Sequence, residues 1–119
     1  MTAHTETLTI GDDGTVSSSV SIVGSALVSC VDVTYGSNNS GSTNILITDQ
    51  NGTKVLDYTG NTSTVFTLQR PGYASSNGGA TSAYVDGVMT EGPLTIYVSG
   101  GTATKEIALI VSYRKLLEP

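Results

Sequence analysis

From Leu8 to Tyr113 the chain carries hydrophobic side chains at roughly every second position, in short runs broken by clusters of Gly, Asn and Ser. A period of two sends alternate side chains to opposite faces, so such runs predict half-buried strands. Val16, Val20 and Ile22 alternate with serines in this way. Ala26 to Tyr35 is longer, with Val28, Cys30 and Asp32 expected on one face and Leu27, Val31, Val33 and Tyr35 on the other. Both faces are largely apolar, which predicts a strand placed centrally or bridging a core and an interface. Asn51-Gly52 lies between two β-rich runs and predicts a two-residue hairpin, because both residues tolerate positive φ.

Thr64 to Leu68 reads as a further strand, stopped at Gln69-Arg70-Pro71-Gly72 because proline has no N–H to give a ladder. Tyr73 to Ala83 has no period and reads as a long loop, of the kind that is functional or ordered by a partner. Tyr84 to Met89 is expected to be a short strand or bulge. Leu94–Ser99 and Lys105–Tyr113 flank Gly100-Gly101 and predict a second hairpin, its last strand the most apolar and therefore central.

About eight strands at regular spacing, with no useful helical period, predict an all-β chain: a single-domain antiparallel β-sandwich, jelly-roll-like in outline. Residues 1–15 are expected to form an N-terminal arm or edge strand, 16–114 the sandwich, and 115–119 a tail. A chain of 119 residues is long enough to bury a core without disulfides. The one cysteine, Cys30, lies in an apolar run and is expected to be a small buried hydrophobe. The first residues have neither the basic start nor the apolar stretch of a signal peptide, and no run approaches the ~18 apolar residues of a membrane span. The expectation is synthesis in a cytoplasm and no membrane partner.

Charge changes the picture further. The net charge is −5, and only five Lys and Arg are scattered along the chain, so no basic patch for a phosphate backbone is expected. Charged residues make up 13% of the chain, against about 25% in ordinary soluble domains. Ser and Thr fill 33 of the 119 positions instead. A surface rich in hydroxyls and poor in charge has little to desolvate when it lies against a neighbour.

Residues for chemistry are scarce. His4 is the one histidine, near the terminus, and reads as a solvated residue of the arm. Asp12 with Asp13, and Asp49 with Asn51, lack the spacing and the bidentate Glu of a calcium loop, and read as turn residues. No G-x-S-x-G occurs, and the Asn-x-Ser/Thr matches at Asn38, Asn51 and Asn61 read as chance in so hydroxyl-rich a chain. The expectation is no enzyme, no cofactor and no metal site. Six of the seven aromatics are tyrosines, most of them expected to close the ends of the core. Tyr73 stands near Arg70 and Pro71, and aromatic and Arg side chains together are common interface anchors. Leu8 and Ile10 on the arm, with Leu116 and Leu117 on the tail, complete the expected interface residues.

Ile45 to Leu56 with its Asn-Gly turn, Arg70-Pro71, the Gly/Ser loop, Gly92-Pro-Leu-Thr-Ile-Tyr-Val-Ser-Gly-Gly and the apolar last strand resemble small β-sandwich proteins of tailed-bacteriophage virions, among them capsid decoration or cement proteins. The resemblance implies a homo-oligomer, often a trimer, located on the capsid surface and bound across major capsid protein subunits. It carries no catalytic residues. Two alternatives stand beside it: a carbohydrate- or receptor-binding module, and a head–tail or tail structural protein.

Overall fold

The computed structural model describes residues 2–73 and 80–116, and for 69–73 and 80–86 the course of the backbone alone. The chain is all-β. Its strands are β1 (Thr2–Thr9), β2 (Val16–Val20), β3 (Ser25–Tyr35), β4 (Asn44–Thr48), β5 (Lys54–Thr59) and β6 (Thr64–Thr67), followed by β7 (Gln69–Tyr73), β8 (Ala80–Asp86), β9 (Val88–Glu91), β10 (Leu94–Ser99) and β11 (Glu106–Lys115). One antiparallel sheet runs β1-β11-β3-β6 with β9 also on β3, and the other runs β2-β10-β4-β5. Their inner faces make a β-sandwich. Val31, Val33, Leu109 and Val111 from the first sheet meet Ile45, Ile47, Ile96 and Val98 from the second, all with no measurable exposure.

β11 lies between β1 and β3, and its alternation is clean: Ile107, Leu109, Val111 and Tyr113 are buried while Glu106, Ile110 and Arg114 are exposed. The expected central place of this strand is therefore found. The expected hairpin between β10 and β11 is not. The two strands lie in different sheets, and the Gly100-Gly101 segment carries the chain across the end of the sandwich. The Gly101 N–H donates to the carbonyl of Gly14 at 3.0 Å, so the crossing is held by the turn before β2 rather than by a partner strand.

β3 changes phase along its length. Its pairing with β11 shifts between Cys30 opposite Ser112 and Val28 opposite Tyr113, leaving Ser29 as an extra residue. Ala26 and Val28 face inward before this bulge, and Val31 and Val33 after it. The two faces expected from strict alternation are thus corrected. One consequence is that Cys30, expected to be buried, is half-buried on the outward side.

The far edge of β3 is shared end to end. β6 covers Cys30 to Val33, and β9 covers Ser25 to Val28. At the gap, opposite the bulge, the Leu68 N–H donates to the Ser29 carbonyl at 3.0 Å and the Gly87 N–H to the Leu68 carbonyl at 2.7 Å. Between these two residues β7 and β8 pair with each other as a separate two-stranded ribbon. The expected loop over Tyr73–Ala83 is shorter than its sequence implied, since Tyr73 and Ala80–Ala83 belong to strands. Pro71 lies within β7 instead of ending a strand, which a ribbon with an open edge allows.

The hairpin at Asn51-Gly52 is present, with a different turn. β4 and β5 are joined by a turn in which the Gly52 N–H donates to the Asp49 carbonyl at 3.1 Å and the Asp49 N–H to the Thr53 carbonyl at 3.0 Å. Gly52 takes φ +82° and Asn51 does not take positive φ, so this is a three-residue loop ending in a left-handed glycine. The Asp49 side chain selects it, by accepting the N–H groups of Asn51 and Thr53, each at 2.9 Å.

Candidate functional site

The two open sides of the sandwich are closed by different chemistry. On the side where β1 faces β2, the Glu6 carboxylate takes the Ser18 hydroxyl on one oxygen and the His4 imidazole at 2.9 Å on the other. Glu6 alternates inward with Leu8, so its charge sits at the rim of the core. Partial burial opposes that charge, and the bonds from His4 and Ser18 outweigh it and hold the carboxyl below its ordinary 4.5. His4 is therefore a half-buried, hydrogen-bonded residue of a strand and not the solvated arm residue expected. The arrangement is structural in form: the carboxylate bridges His4 and Ser18, whereas nucleophile activation needs the imidazole to contact the serine.

On the opposite side, Tyr58 of β5 and Phe66 of β6 stack across the two sheets at 4.9 Å with their planes tilted by 57°. Tyr35 lies inward beside them. Its hydroxyl is buried without a hydrogen-bond partner among the described residues, and burial, with a smaller push from Tyr58, raises it to about 12. This tyrosine stays neutral at any ordinary pH.

Asp49 shows how far turn chemistry reaches in this chain. Besides the two N–H groups of its own loop, its second oxygen accepts the Glu91 N–H of β9 at 3.0 Å. Burial raises the acid and these main-chain donors lower it, with a net fall below the ordinary 3.8. The carboxylate is thus committed to the backbone. Among the described residues no three His, Cys, Asp or Glu side chains gather where a metal ion could be held.

The outer faces differ from the edges. On the first sheet, cross-strand rows place Thr5, Ile110, Asp32 and Val65 in line, and Arg114, Leu27 and Met89 in another. Val65 and Met89 are each 59% exposed and Ile110 is 37% exposed. The second sheet presents Ser17, Tyr97, Leu46 and Asp57 in one row, with Tyr97 exposed.

Of the interface residues read from the sequence, Arg70, Pro71 and Tyr73 lie on β7, paired with Val85, Tyr84 and Ala80 of β8. Leu8 and Ile10 are buried in the core instead of being offered by a free arm, because β1 is laid on β11 with Leu8 opposite Ile107. Leu116 is half-buried, and its N–H donates to the Ser25 carbonyl at 3.0 Å; Leu117 lies outside the described residues. The outward residues Leu27, Val65, Met89 and Ile110 were missed. Their signal was there: an apolar residue in the polar phase of an alternating strand. Comparison with protein-family models, with curated proteins and with solved structures finds no match for this chain.

Proposed function

We propose that this protein is a non-enzymatic structural component of a phage virion, a capsid decoration or cement protein that binds and stabilises a shell of major capsid protein. The observation that carries this reading is the outer face of the β1-β11-β3-β6 sheet. Val65, Met89 and Ile110 are exposed there and Leu27 is half-buried, with Asp32 between Val65 and Ile110 and Arg114 beside Leu27, so a neighbour that covers this face removes apolar surface from water and must match these two charges. The β7–β8 ribbon supports the same reading. A two-stranded hairpin is marginally stable alone in water, and contact with a neighbouring subunit would hold it. Symmetry multiplies such contacts over a shell, so each can be weak.

A second reading rests on Tyr97. Exposed on the other sheet beside Leu46, it offers one aromatic face to a sugar ring, as a carbohydrate- or receptor-binding module would require. Sedimentation of a native lysate, with this chain followed by mass spectrometry, separates the two. Travel in a megadalton particle with an abundant shell protein supports the decoration role. A small free species that binds soluble glycan overturns it. A particle containing tail proteins without shell protein would move the reading to a tail structural role.

A further inference from the structure

Among the described residues the outer edge of β1 is the longest open strand edge, at eight residues. Among the described residues nothing pairs with it, and its register against β11 runs unbroken from Thr2 to Thr9. Exposed edges are ordinarily blunted by Lys, Pro, a bulge or short length. β5 has Lys54 and a bulge, β7 has Pro71, and β6 and β9 have four residues each. β1 carries no Lys, Pro or bulge over its eight residues, and its one guard is the inward-pointing Glu6, whose carboxylate is already bonded by His4 and Ser18.

The direction of its free groups follows from the ladder. The Ile10 N–H donates to the Lys105 carbonyl at 2.9 Å, so Ile10 and, by alternation, Leu8, Glu6 and His4 turn their main-chain groups toward β11. Ala3, Thr5, Thr7 and Thr9 turn theirs to the open edge. The geometry points to a second copy of this chain as the occupant: two β1 strands pair antiparallel about a two-fold axis at Thr5, joining the sheets of two subunits into one.

The choice of register rests on keeping the two Glu6 carboxylates from facing each other. With the axis at Thr5, Thr5 pairs with Thr5 of the partner subunit and Ala3 with the partner subunit's Thr7, all through outward-facing main-chain groups. The intervening positions place His4 opposite Glu6 of the partner subunit, and Glu6 opposite the partner subunit's His4. These are non-hydrogen-bonded positions, where cross-strand side chains approach most closely. Moving the axis to Glu6 would set carboxylate against carboxylate, and moving it to His4 would set imidazole against imidazole. The Glu6 carboxylate has accepting capacity left after His4 and Ser18 of its own chain. A two-fold pair of this kind differs from the trimer that the virion resemblance implies, and it does not depend on the virion reading.

The test is the mass of the full chain in solution by analytical ultracentrifugation. The wild type should rise from 12.2 kDa toward twice that value as concentration is raised to about 100 µM. Thr5→Pro removes an N–H that faces the open edge and none that bonds β11, so it should stay at 12.2 kDa with an unchanged far-UV spectrum. A second readout does not depend on that variant folding. In a Cys30→Ser background, Thr5→Cys should oxidise to a disulfide-linked dimer, since hydrogen-bonded antiparallel partners lie about 5.5 Å apart at Cα, within disulfide reach. Thr7→Cys in the same background should not, being opposite Ala3 of the partner subunit. A wild type that stays at 12.2 kDa throughout, a dimeric Thr5→Pro, or equal cross-linking at the two positions overturns the proposal.

Discussion

The Asp49 carboxylate accepts the main-chain N–H of Glu91 at 3.0 Å, across forty-two residues of sequence. The bond joins the β4–β5 turn of one sheet to β9 of the other. The Gln50 N–H adds a longer bond to the Glu91 carbonyl at 3.4 Å. A residue that shapes its own turn thus also locks one end of the sandwich.

Asp49→Ala removes the acceptor from three main-chain donors at a site that is 7% exposed. A loss of about 3 kcal/mol is expected from urea denaturation, and Asp49→Asn, which keeps one carbonyl oxygen, should lose less. The acid limb follows from the same bonds. The folded carboxyl lies below the ordinary 3.8, so its contribution is complete above that pH and is lost as pH falls through the lower folded value. Stability of the wild type should therefore fall more steeply below pH 3.8 than that of Asp49→Ala, with Glu6 adding a similar limb below 4.5. Parallel acid limbs in the two proteins would show that Asp49 does not carry this effect.

Leu109 and Ile110 are neighbours in sequence on opposite faces of β11. Leu109 has no exposure and Ile110 is 37% exposed. Leu109→Ala should cost about 3 kcal/mol through lost transfer energy and the cavity left behind, while Ile110→Ala should cost no more than about 1 kcal/mol. Equal losses in thermal or urea unfolding would contradict the assignment of faces.

Gly87 anchors the β7–β8 ribbon at φ +106°, and a Cβ there would lie 2.6 Å from the Val28 carbonyl oxygen. Gly52, at φ +82°, has nothing within 4 Å of such a Cβ. Gly52→Ala should cost about 1 kcal/mol from backbone conformation alone. Gly87→Ala adds a main-chain clash and should cost clearly more, about 3 kcal/mol, with β9 displaced from β3. Hydrogen exchange at Met89 to Glu91 would report the displacement.

Val65 and Met89 stand exposed on the outer sheet face. Replacing both by Ser should leave unfolding midpoints almost unchanged, within about 0.5 kcal/mol per site. The same double variant should lose most of its co-sedimentation with shell particles if this face makes the contact assigned to it. Retained co-sedimentation would move the contact to another surface.

Sequence and tertiary structure divide the account of this protein along a physical line. Side-chain alternation is local, so it was enough to place the all-β class, the strand at Val16–Val20, the hairpin around Gly52 and the central, strongly apolar β11. The sequence also carried the turn role of Asp49, because an Asp side chain bonds the amides two and four residues on without help from elsewhere. Which strands pair depends on distant segments. Gly100-Gly101 has the same local look whether the chain turns back on itself or crosses between sheets, and only the contact with Gly14 decides for the crossing. The bulge at Ser29 is likewise fixed by β11 on one side and by the Leu68 bond on the other, and it reverses the faces of half of β3. From that reversal follow the outward place of Cys30, the split edge shared by β6 and β9, and the site where the β7–β8 ribbon leaves the sandwich. Period-two patterning names faces within a strand, and long-range pairing alone decides which face becomes the inside.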